Sequence, residues 1–136
     1  MFDDVVELLL EEAIKYKASV AVVEYKDKWL LGLAKTSDDR NNKWCFIGGG
    51  IKRNETPKQA VVRESREEAG IRVRTIGDPI PDKKKKNVAF FHCKMVSSQE
   101  LKHNNEFAAM AFFTIKEMES LKLYYNVKDL IGKIKC

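Results

Sequence analysis

The segment from Gly49 to Ile71, GGIKRNETPKQAVVRESREEAGI, constrains the fold more than any other, because both ends of a helix are marked in it. Thr56 and Gln59 have the spacing of a capping box, and the proline that follows Thr56 suits the first helical position. Gly70 suits the left-handed conformation that commonly follows a helix end. The sequence therefore predicts a helix over residues 57–69, entered from a glycine-rich loop.

This helix carries glutamates at positions 64, 67 and 68. At about 100° per residue, the carboxylates of Glu64, Glu67 and Glu68 fall within an arc of roughly 100° on one side of the helix. Like charges at these spacings repel, and a divalent cation would neutralise them. Carboxylates favour Mg²⁺, Mn²⁺ or Ca²⁺ over zinc. Taken alone, such a cluster is more often a solvated helix face, so a metal site needs support from a wider pattern.

The rest of the chain alternates β-prone runs with polar segments and amphipathic runs. An N-terminal helix is predicted from Asp3 to about Lys17, and later helices over Lys116–Leu121 and Tyr125–Lys135. Predicted strands are Ser19–Tyr25, Trp29–Ala34, Trp44–Ile47, Ile71–Ile76, Val88–Val96 and Met110–Ile115. The first two strands form a hairpin, residues 48–50 break the chain after the third, and residues 77–87, with two prolines and four lysines, form a loop.

Length and composition narrow the class of protein. A chain of 136 residues is enough for one domain with a hydrophobic core. No apolar segment is long enough to cross a membrane, and the acidic start MFDDVVELLLEE is unlike a signal peptide, so a cytoplasmic protein is predicted. Cys45, Cys93 and Cys136 are far apart and are expected to be reduced thiols. The net charge of +5 favours polyanionic partners, without indicating nucleic acid specifically.

The wider pattern around the glutamates resembles the Nudix box, GX5EX7REUXEEXGU, in which U is a bulky apolar residue. The matching residues are Gly49, Glu55, Arg63, Glu64, Glu67, Glu68, Gly70 and Ile71. Two positions depart from the usual pattern. Ser65 stands where an apolar residue is usual, which predicts looser packing of the helix, and Ile47 stands where many relatives have proline. Trp44 and the segment Glu106–Phe113 also look like parts of a Nudix domain.

The resemblance implies an α/β fold, in which one Nudix domain over residues 1–136 forms an α/β/α sandwich around a mixed β-sheet. It also implies Mg²⁺-dependent hydrolysis of a pyrophosphate bond in a nucleoside diphosphate derivative, without an organic cofactor. Residues 86–89 have neither the proline of ADP-ribose hydrolases nor the tyrosine of diadenosine polyphosphate hydrolases. A nucleoside triphosphate substrate of the MutT-like kind is therefore favoured.

Other functions within the fold are the hydrolysis of dinucleoside polyphosphates, nucleotide sugars or RNA caps. A catalytically silent nucleotide-binding module is a further alternative, although such modules usually lose box glutamates that this chain retains. No RNA-recognition motif is visible, and the oligomeric state is left open.

The resemblance also assigns roles to individual residues. Glu64, Glu67 and Glu68, with the carbonyl of Gly49 or its neighbour, would hold Mg²⁺, or Mn²⁺ in its place. Arg63 and Glu55 would brace the helix against the loop. Glu64 is the first choice for the general base. Glu106 is the second choice, with an ordinary loop carboxylate as its equal alternative, and Glu100 follows.

Two further groups of residues are expected to have structural rather than functional roles. The lysines from Lys83 to Lys86 are more readily explained as a solvated loop than as a phosphate site. Trp44, Phe46 and Phe90 are expected in the core rather than stacked on a nucleobase.

Overall fold

The computed structural model describes residues 16–134, so the predicted N-terminal helix lies outside the described residues. The described part contains seven strands and three helices. The strands are β1 (Ala18–Tyr25), β2 (Lys28–Ala34), β3 (Trp44–Cys45), β4 (Ile47–Gly50), β5 (Val73–Pro81), β6 (Val88–Met95) and β7 (Phe107–Phe113). The helices are α1 (Pro57–Ala69), α2 (Ile115–Met118) and α3 (Tyr125–Ile134).

The strands form one mixed sheet with the order β3-β2-β1-β6-β5, in which β4 also pairs with β1 and β7 also pairs with β2. The β1–β6 pair is parallel, and the other pairs are antiparallel. Strand β1 pairs with β2 only next to their turn, where Glu24 faces Trp29. Its first half pairs with β4 instead, from Ala18 opposite Gly50 to Ala21 opposite Ile47. This change of partner brings β4, the glycine strand that contains Gly48, Gly49 and Gly50, to the middle of the sheet.

The predicted hairpin is confirmed. Lys26 and Asp27 have φ values of 51° and 61°, so both adopt the left-handed conformation of a tight two-residue turn. Lys28, which the sequence placed in the turn, is the first residue of β2.

Both faces of the sheet are covered by helices. Alternate residues of β1 point to opposite faces, so Ala21 and Val23 pack in a core with Val61 of α1. Val22 packs on the other face in a second core that contains Met118 of α2 and Val127 of α3. Because helices cover both faces, the predicted α/β fold with an α/β/α sandwich around a mixed sheet is confirmed.

Helix α1 begins and ends as predicted. The Thr56 hydroxyl accepts the Gln59 N–H, the Gln59 side chain accepts the Thr56 N–H, and Gly70 has a φ of 67°. Ser65 does not loosen the packing in the way the sequence suggested. It is completely buried, and its hydroxyl donates to the Val61 carbonyl at 2.8 Å, which satisfies the polar group inside the core.

Several predicted boundaries are wrong, among them the start of β7, which is Phe107 rather than Met110. Residues 48–50 do not end a strand, because they form most of β4 and pair with β1. Strand β5 continues through Gly77 and two prolines to Pro81, so the predicted loop starts later. An edge strand tolerates proline, and an irregularity between Ile76 and Ile80, where Gly77 has a φ of 74°, absorbs the break in pairing. Within residues 16–134, no helix has the length and apolar character needed to cross a membrane.

Candidate active site

The site lies where α1 crosses the glycine strand β4. The Gly48 N–H donates to Glu68 Oε1 at 2.8 Å, which fixes this carboxyl against the strand. At Gly49 the backbone approaches α1 so closely that a Cβ would lie 2.5 Å from Glu64 Oε1. Glycine at position 49 therefore leaves the space that the Glu64 carboxylate occupies.

Arg63 ties the loop, the strand and the helix together. Its Nε donates to Glu55 Oε2 at 2.7 Å and its Nη2 to Glu55 Oε1 at 3.0 Å, which makes a bidentate pair. Nη2 also donates to the Gly50 carbonyl at 2.9 Å. Nη1 donates to Glu64 Oε1 at 3.0 Å and to Glu67 Oε2 at 2.9 Å. Hydrogen bonds from Arg63 lower the pKa of Glu55, so this pair stays ionised at neutral pH.

Glu68 is the buried member of the cluster, with 3% of its surface exposed. Burial raises the pKa of Glu68 well above its ordinary value, and the negative charge of Glu64 raises it further. The Gly48 N–H acts in the opposite direction, whereas a hydrogen bond with Glu106 and the charge of that residue add to the rise in this pKa. Ionisation of Glu68 is therefore opposed both by its burial and by the neighbouring carboxylates.

Glu106 reaches this cluster from the loop before β7. The loop is tied to the end of α1, because the Lys102 N–H donates to the Ala69 carbonyl at 2.9 Å and the Asn104 N–H to the Glu68 carbonyl at 3.2 Å. Asn104 Oδ1 then accepts the Glu106 N–H at 3.0 Å. Glu106 is itself exposed but lies near enough to Glu68 to raise the pKa of that carboxyl, and Glu100 is another exposed residue of the same loop.

The predicted site residues are thus neighbours, but their carboxylates are not gathered at one point. In the described part of the chain, no three acidic, histidine or cysteine side chains converge as a ready metal site. The Arg63 guanidinium, a cation, stands between Glu64 and Glu67, while Glu68 points to Gly48. The side chain of Glu67 is half exposed, at 48%.

A cavity of about 230 Å³ adjoins the glycine strand. Its wall includes Val20, Arg40, Phe46, Gly48, Gly49, Asp82, Lys85, Tyr124, Tyr125 and Asn126. One polar atom beside it has no partner within residues 16–134, namely the buried Oδ1 of Asn126. A buried acceptor without a donor is costly, so a donor brought to this atom would be favourable.

Sequence reasoning missed most of these cavity residues. Arg40, Lys85 and Asn126 come from the loop after β2, the loop after β5 and the start of α3, and no local pattern links them. The aromatic predictions are largely confirmed, since Phe46 and Phe90 are buried and their ring centroids lie 6.3 Å apart. Phe46 is buried in the core and also lines the cavity.

Comparisons with known proteins agree with this fold and site. The family model described as NUDIX domain matches residues 15–131. The CTP pyrophosphohydrolase of Escherichia coli (strain K12) is 40% identical over 58 residues, which are 43% of this chain and 42% of that relative. The match therefore spans less than half of the curated relative.

Solved structures resemble the whole described fold. A NUDIX-family hydrolase from Clostridium perfringens has a TM-score of 0.71 at 19% identity, with 88% of this chain and 94% of that chain covered. The MutT protein from Methanosarcina mazei Go1 has a TM-score of 0.70 at 20% identity, with 89% and 94% covered.

A mixed sheet between two helical layers, with a glutamate-rich helix across a glycine strand, defines the Nudix class of fold and site. Because the family model covers most of its length, the chain belongs to the Nudix family. This membership and the curated relative support the prediction of a pyrophosphohydrolase.

Proposed function

We propose that the protein hydrolyses a pyrophosphate bond in a nucleoside diphosphate derivative, with a nucleoside triphosphate as the preferred substrate. The observation that carries this proposal is the group of Glu64, Glu67, Glu68 and Glu106 beside the glycine strand, whose Gly48 and Gly49 line an adjoining cavity. Concentrated negative charge beside a cavity suits a cation-assisted reaction on phosphate groups. The family match over residues 15–131 supports one Nudix domain as the working unit.

The donor set fits Mg²⁺, with Mn²⁺ as a substitute. Glu64, Glu67, Glu68 and the Gly49 carbonyl offer only hard oxygen ligands. Burial raises the pKa of Glu68 first and the charges of Glu64 and Glu106 raise it further, and a divalent cation would favour the ionised form. When bound, the ion would shield phosphate charge and make a water molecule a stronger nucleophile. Glu64, Glu67, Glu68 and Gly49 are thus the residues that we propose to hold it.

The chain's own groups have separate tasks in this proposal. Arg63 holds Glu55 and the Gly50 carbonyl, so the loop stays fixed against the helix that carries the carboxylates. Glu64 is our first choice to accept the proton of the attacking water, because it lies against Gly49 at the cavity edge. Glu106 is the alternative base, since it lies near enough to Glu68 to influence the pKa of that carboxyl.

The cavity supports a specific preference among nucleotides. Asn126 Oδ1 lacks a donor within the described residues, and the exocyclic amino group of cytosine or adenine would supply one. Phe46 and Tyr125 offer aromatic surface in the same cavity. The partial similarity to a CTP pyrophosphohydrolase supports a cytosine nucleotide as the first candidate.

A hydrolysis screen with Mg²⁺ tests the activity. The substrates are the four ribonucleoside triphosphates, dinucleoside polyphosphates, nucleotide sugars and capped RNA, and ³¹P spectroscopy identifies the products. We expect nucleoside monophosphate and pyrophosphate from triphosphates. Turnover of another class alone would replace the triphosphate proposal, and binding without turnover of any substrate would favour a silent nucleotide-binding module.

A comparison of CTP with UTP tests the role of Asn126. Cytosine carries an exocyclic amino group at the position where uracil carries a carbonyl. We expect kcat/KM to favour CTP by about tenfold or more, since the uracil carbonyl of UTP cannot supply the donor that Asn126 Oδ1 lacks. Asn126→Ala should bring the two values together. An unchanged ratio in this variant would remove Asn126 from the specificity assignment.

A further inference from the structure

The lysine run at residues 83–86 is solvent-exposed, as the sequence suggested, but its backbone is held next to the cavity. Asp82, only 5% exposed, anchors it: Oδ1 accepts the N–H groups of Lys84 at 2.9 Å and Lys85 at 3.4 Å. The Asp82 N–H donates to the Val88 carbonyl at 2.9 Å, and the Val88 N–H donates to the Lys85 carbonyl at 3.0 Å. These bonds close the run into a compact turn between β5 and β6.

The same turn is attached to α3. Asp82 Oδ2 accepts the Tyr125 hydroxyl at 3.1 Å, and Lys84 Nζ lies 4.4 Å from the centroid of the Tyr125 ring. The Asp82 carboxyl thus holds the turn on one side and the helix on the other. This arrangement gives the lysines that follow Asp82 fixed positions, which the sequence alone did not indicate.

Only one lysine of the run lines the cavity that contains Gly48 and Gly49, and this is Lys85. Burial raises the pKa of Tyr124 and the charge of Lys85 opposes that rise, so Lys85 lies near this uncharged hydroxyl. No ion pair joins Lys85 to a carboxylate within residues 16–134. By contrast, Arg40, the other basic residue on the cavity wall, is paired with Asp38 at 2.9 Å.

The nearby acidic side chains are also engaged. Asp38 holds Arg40, Asp39 accepts the Tyr124 hydroxyl at 3.4 Å, and Asp82 accepts the Tyr125 hydroxyl. Lys85 is therefore the ammonium on this wall that has no carboxylate partner and can receive an anionic ligand.

From these contacts we infer that Lys85 is a substrate-binding residue that contacts the phosphate chain, with Asp82 and Tyr125 as its positioning residues. This inference rests on the proposed function for the identity of the phosphate chain. It separates Lys85 from Lys83 and Lys86, which belong to the same run but do not line this cavity.

Binding of inorganic tripolyphosphate in metal-free buffer, measured by titration calorimetry, tests Lys85 without requiring turnover. Lys85→Gln should weaken binding about tenfold, as expected for loss of one charge-assisted contact. Lys83→Gln and Lys86→Gln remove the same charge from the same run, and they should change the dissociation constant less than about twofold. Circular dichroism of each variant would verify folding.

An equal effect of all three substitutions would overturn the inference. It would show that the lysines attract tripolyphosphate only by their summed charge and that Lys85 makes no specific contact. Absence of measurable binding by the unmodified protein would overturn it as well. Hydrolysis data separate this failure from failure of the proposed function, because CTP can be turned over normally while Lys85 contributes nothing. If both proposals hold, Lys85→Gln raises the KM for CTP about tenfold and changes kcat less than about twofold.

The positioning role of Tyr125 has a separate readout in a double-mutant cycle. Tyr125→Phe keeps the ring and removes the hydroxyl that contacts Asp82, so it should weaken tripolyphosphate binding in the unmodified background. In the Lys85→Gln background the same change should have little further effect, since the cation that it positions is gone. Additive losses would contradict the assignment of Tyr125 and Asp82 as positioning residues.

Discussion

At the scale of single residues, Glu68 is the position where stability and the proposed cation binding conflict. It is the most buried carboxyl of the cluster, and it is also the carboxyl whose ionisation is most opposed by its neighbours. A site that binds a cation needs such negative charge, although the charge is unfavourable in the metal-free protein. Stability and function are therefore expected to conflict at this position.

We predict that Glu68→Gln stabilises the metal-free protein at pH 8 by about 1–2 kcal/mol and lowers kcat at least about 100-fold. The pKa of Glu68 is raised above the ordinary 4.5, so ionisation costs stability as the pH rises from 4.5 through the higher folded-state pKa. The stability gain of the variant should grow across that range. Thermal unfolding between pH 5 and 8 without divalent cations measures it, with the exposed Glu100→Gln as the control.

A lower unfolding temperature of Glu68→Gln at pH 8 would contradict this account. Addition of Mg²⁺ gives a second comparison, because it should stabilise the unmodified protein more than the variant.

Arg63 leads to a second prediction at this scale. Arg63→Lys retains the charge but loses the planar fork that contacts Glu55, so kcat/KM should fall about 100-fold. The exposed Arg66 lies on the same helix and offers a matched control, since Arg66→Lys should leave kcat/KM nearly unchanged. Equal rates for the two lysine variants would show that charge alone at position 63 is sufficient.

At the scale of elements, the helix was predictable from sequence and the strand opposite it was not. The start and end of α1 depend on residues within one turn, namely Thr56, Gln59 and Gly70, so local chemistry determines them. The extended conformation of residues 48–50 depends on pairing with Ala18–Val20, which lies far away in sequence. Three consecutive glycines favour a loop on local grounds, and only the sheet overrides that preference.

The same distinction applies to the site. The spacing of Glu64, Glu67 and Glu68 predicts one helix face, but their different burial depends on β4, which covers Glu68 and leaves Glu67 at the rim. The sequence supports two interpretations of Glu106 equally, a general base and an ordinary loop carboxylate, because the position of this residue depends on how its loop folds. The contacts of Asn104 and Lys102 with α1 place that loop, and they could not be inferred from periodicity.

The glycines of β4 give a prediction for the element. A Cβ at Gly49 would collide with the end of the Glu64 side chain, whereas a Cβ at Gly50 meets nothing closer than the Lys17 carbonyl at 4.0 Å. Gly49→Ala should therefore reduce kcat at least about tenfold by displacing the Glu64 carboxylate. Its unfolding temperature should change little, because a flexible side chain can move.

Gly50→Ala is the matched control and should retain nearly full activity. Loss of activity in both variants would indicate that β4 tolerates no side chain, and the specific contact between Gly49 and Glu64 would then not explain the effect.

At the scale of the whole molecule, stability depends on two separate cores, one on each face of the sheet. Phe91 lies in the core on the α1 side and is 1% exposed. Phe91→Ala should lower the free energy of unfolding by about 3–5 kcal/mol, a large part of the total for a domain of this size. The exposed Val96 is the control, since Val96→Ala should change it by less than about 0.5 kcal/mol.

Denaturant titration of both variants measures the difference. A loss below about 1 kcal/mol in Phe91→Ala would show that the core on the α1 side repacks around the missing ring.

The parallel pairing of β1 with β6 has a consequence for how the chain acquires its structure. Ala18 pairs with Val88, and the hairpin, the glycine strand and α1 all lie between them in sequence. The hairpin and the helix can form early from local contacts, but the centre of the sheet must wait until distant segments meet. Since α1 packs on that sheet, the glutamate cluster is expected to assemble late in folding, after most secondary structure exists.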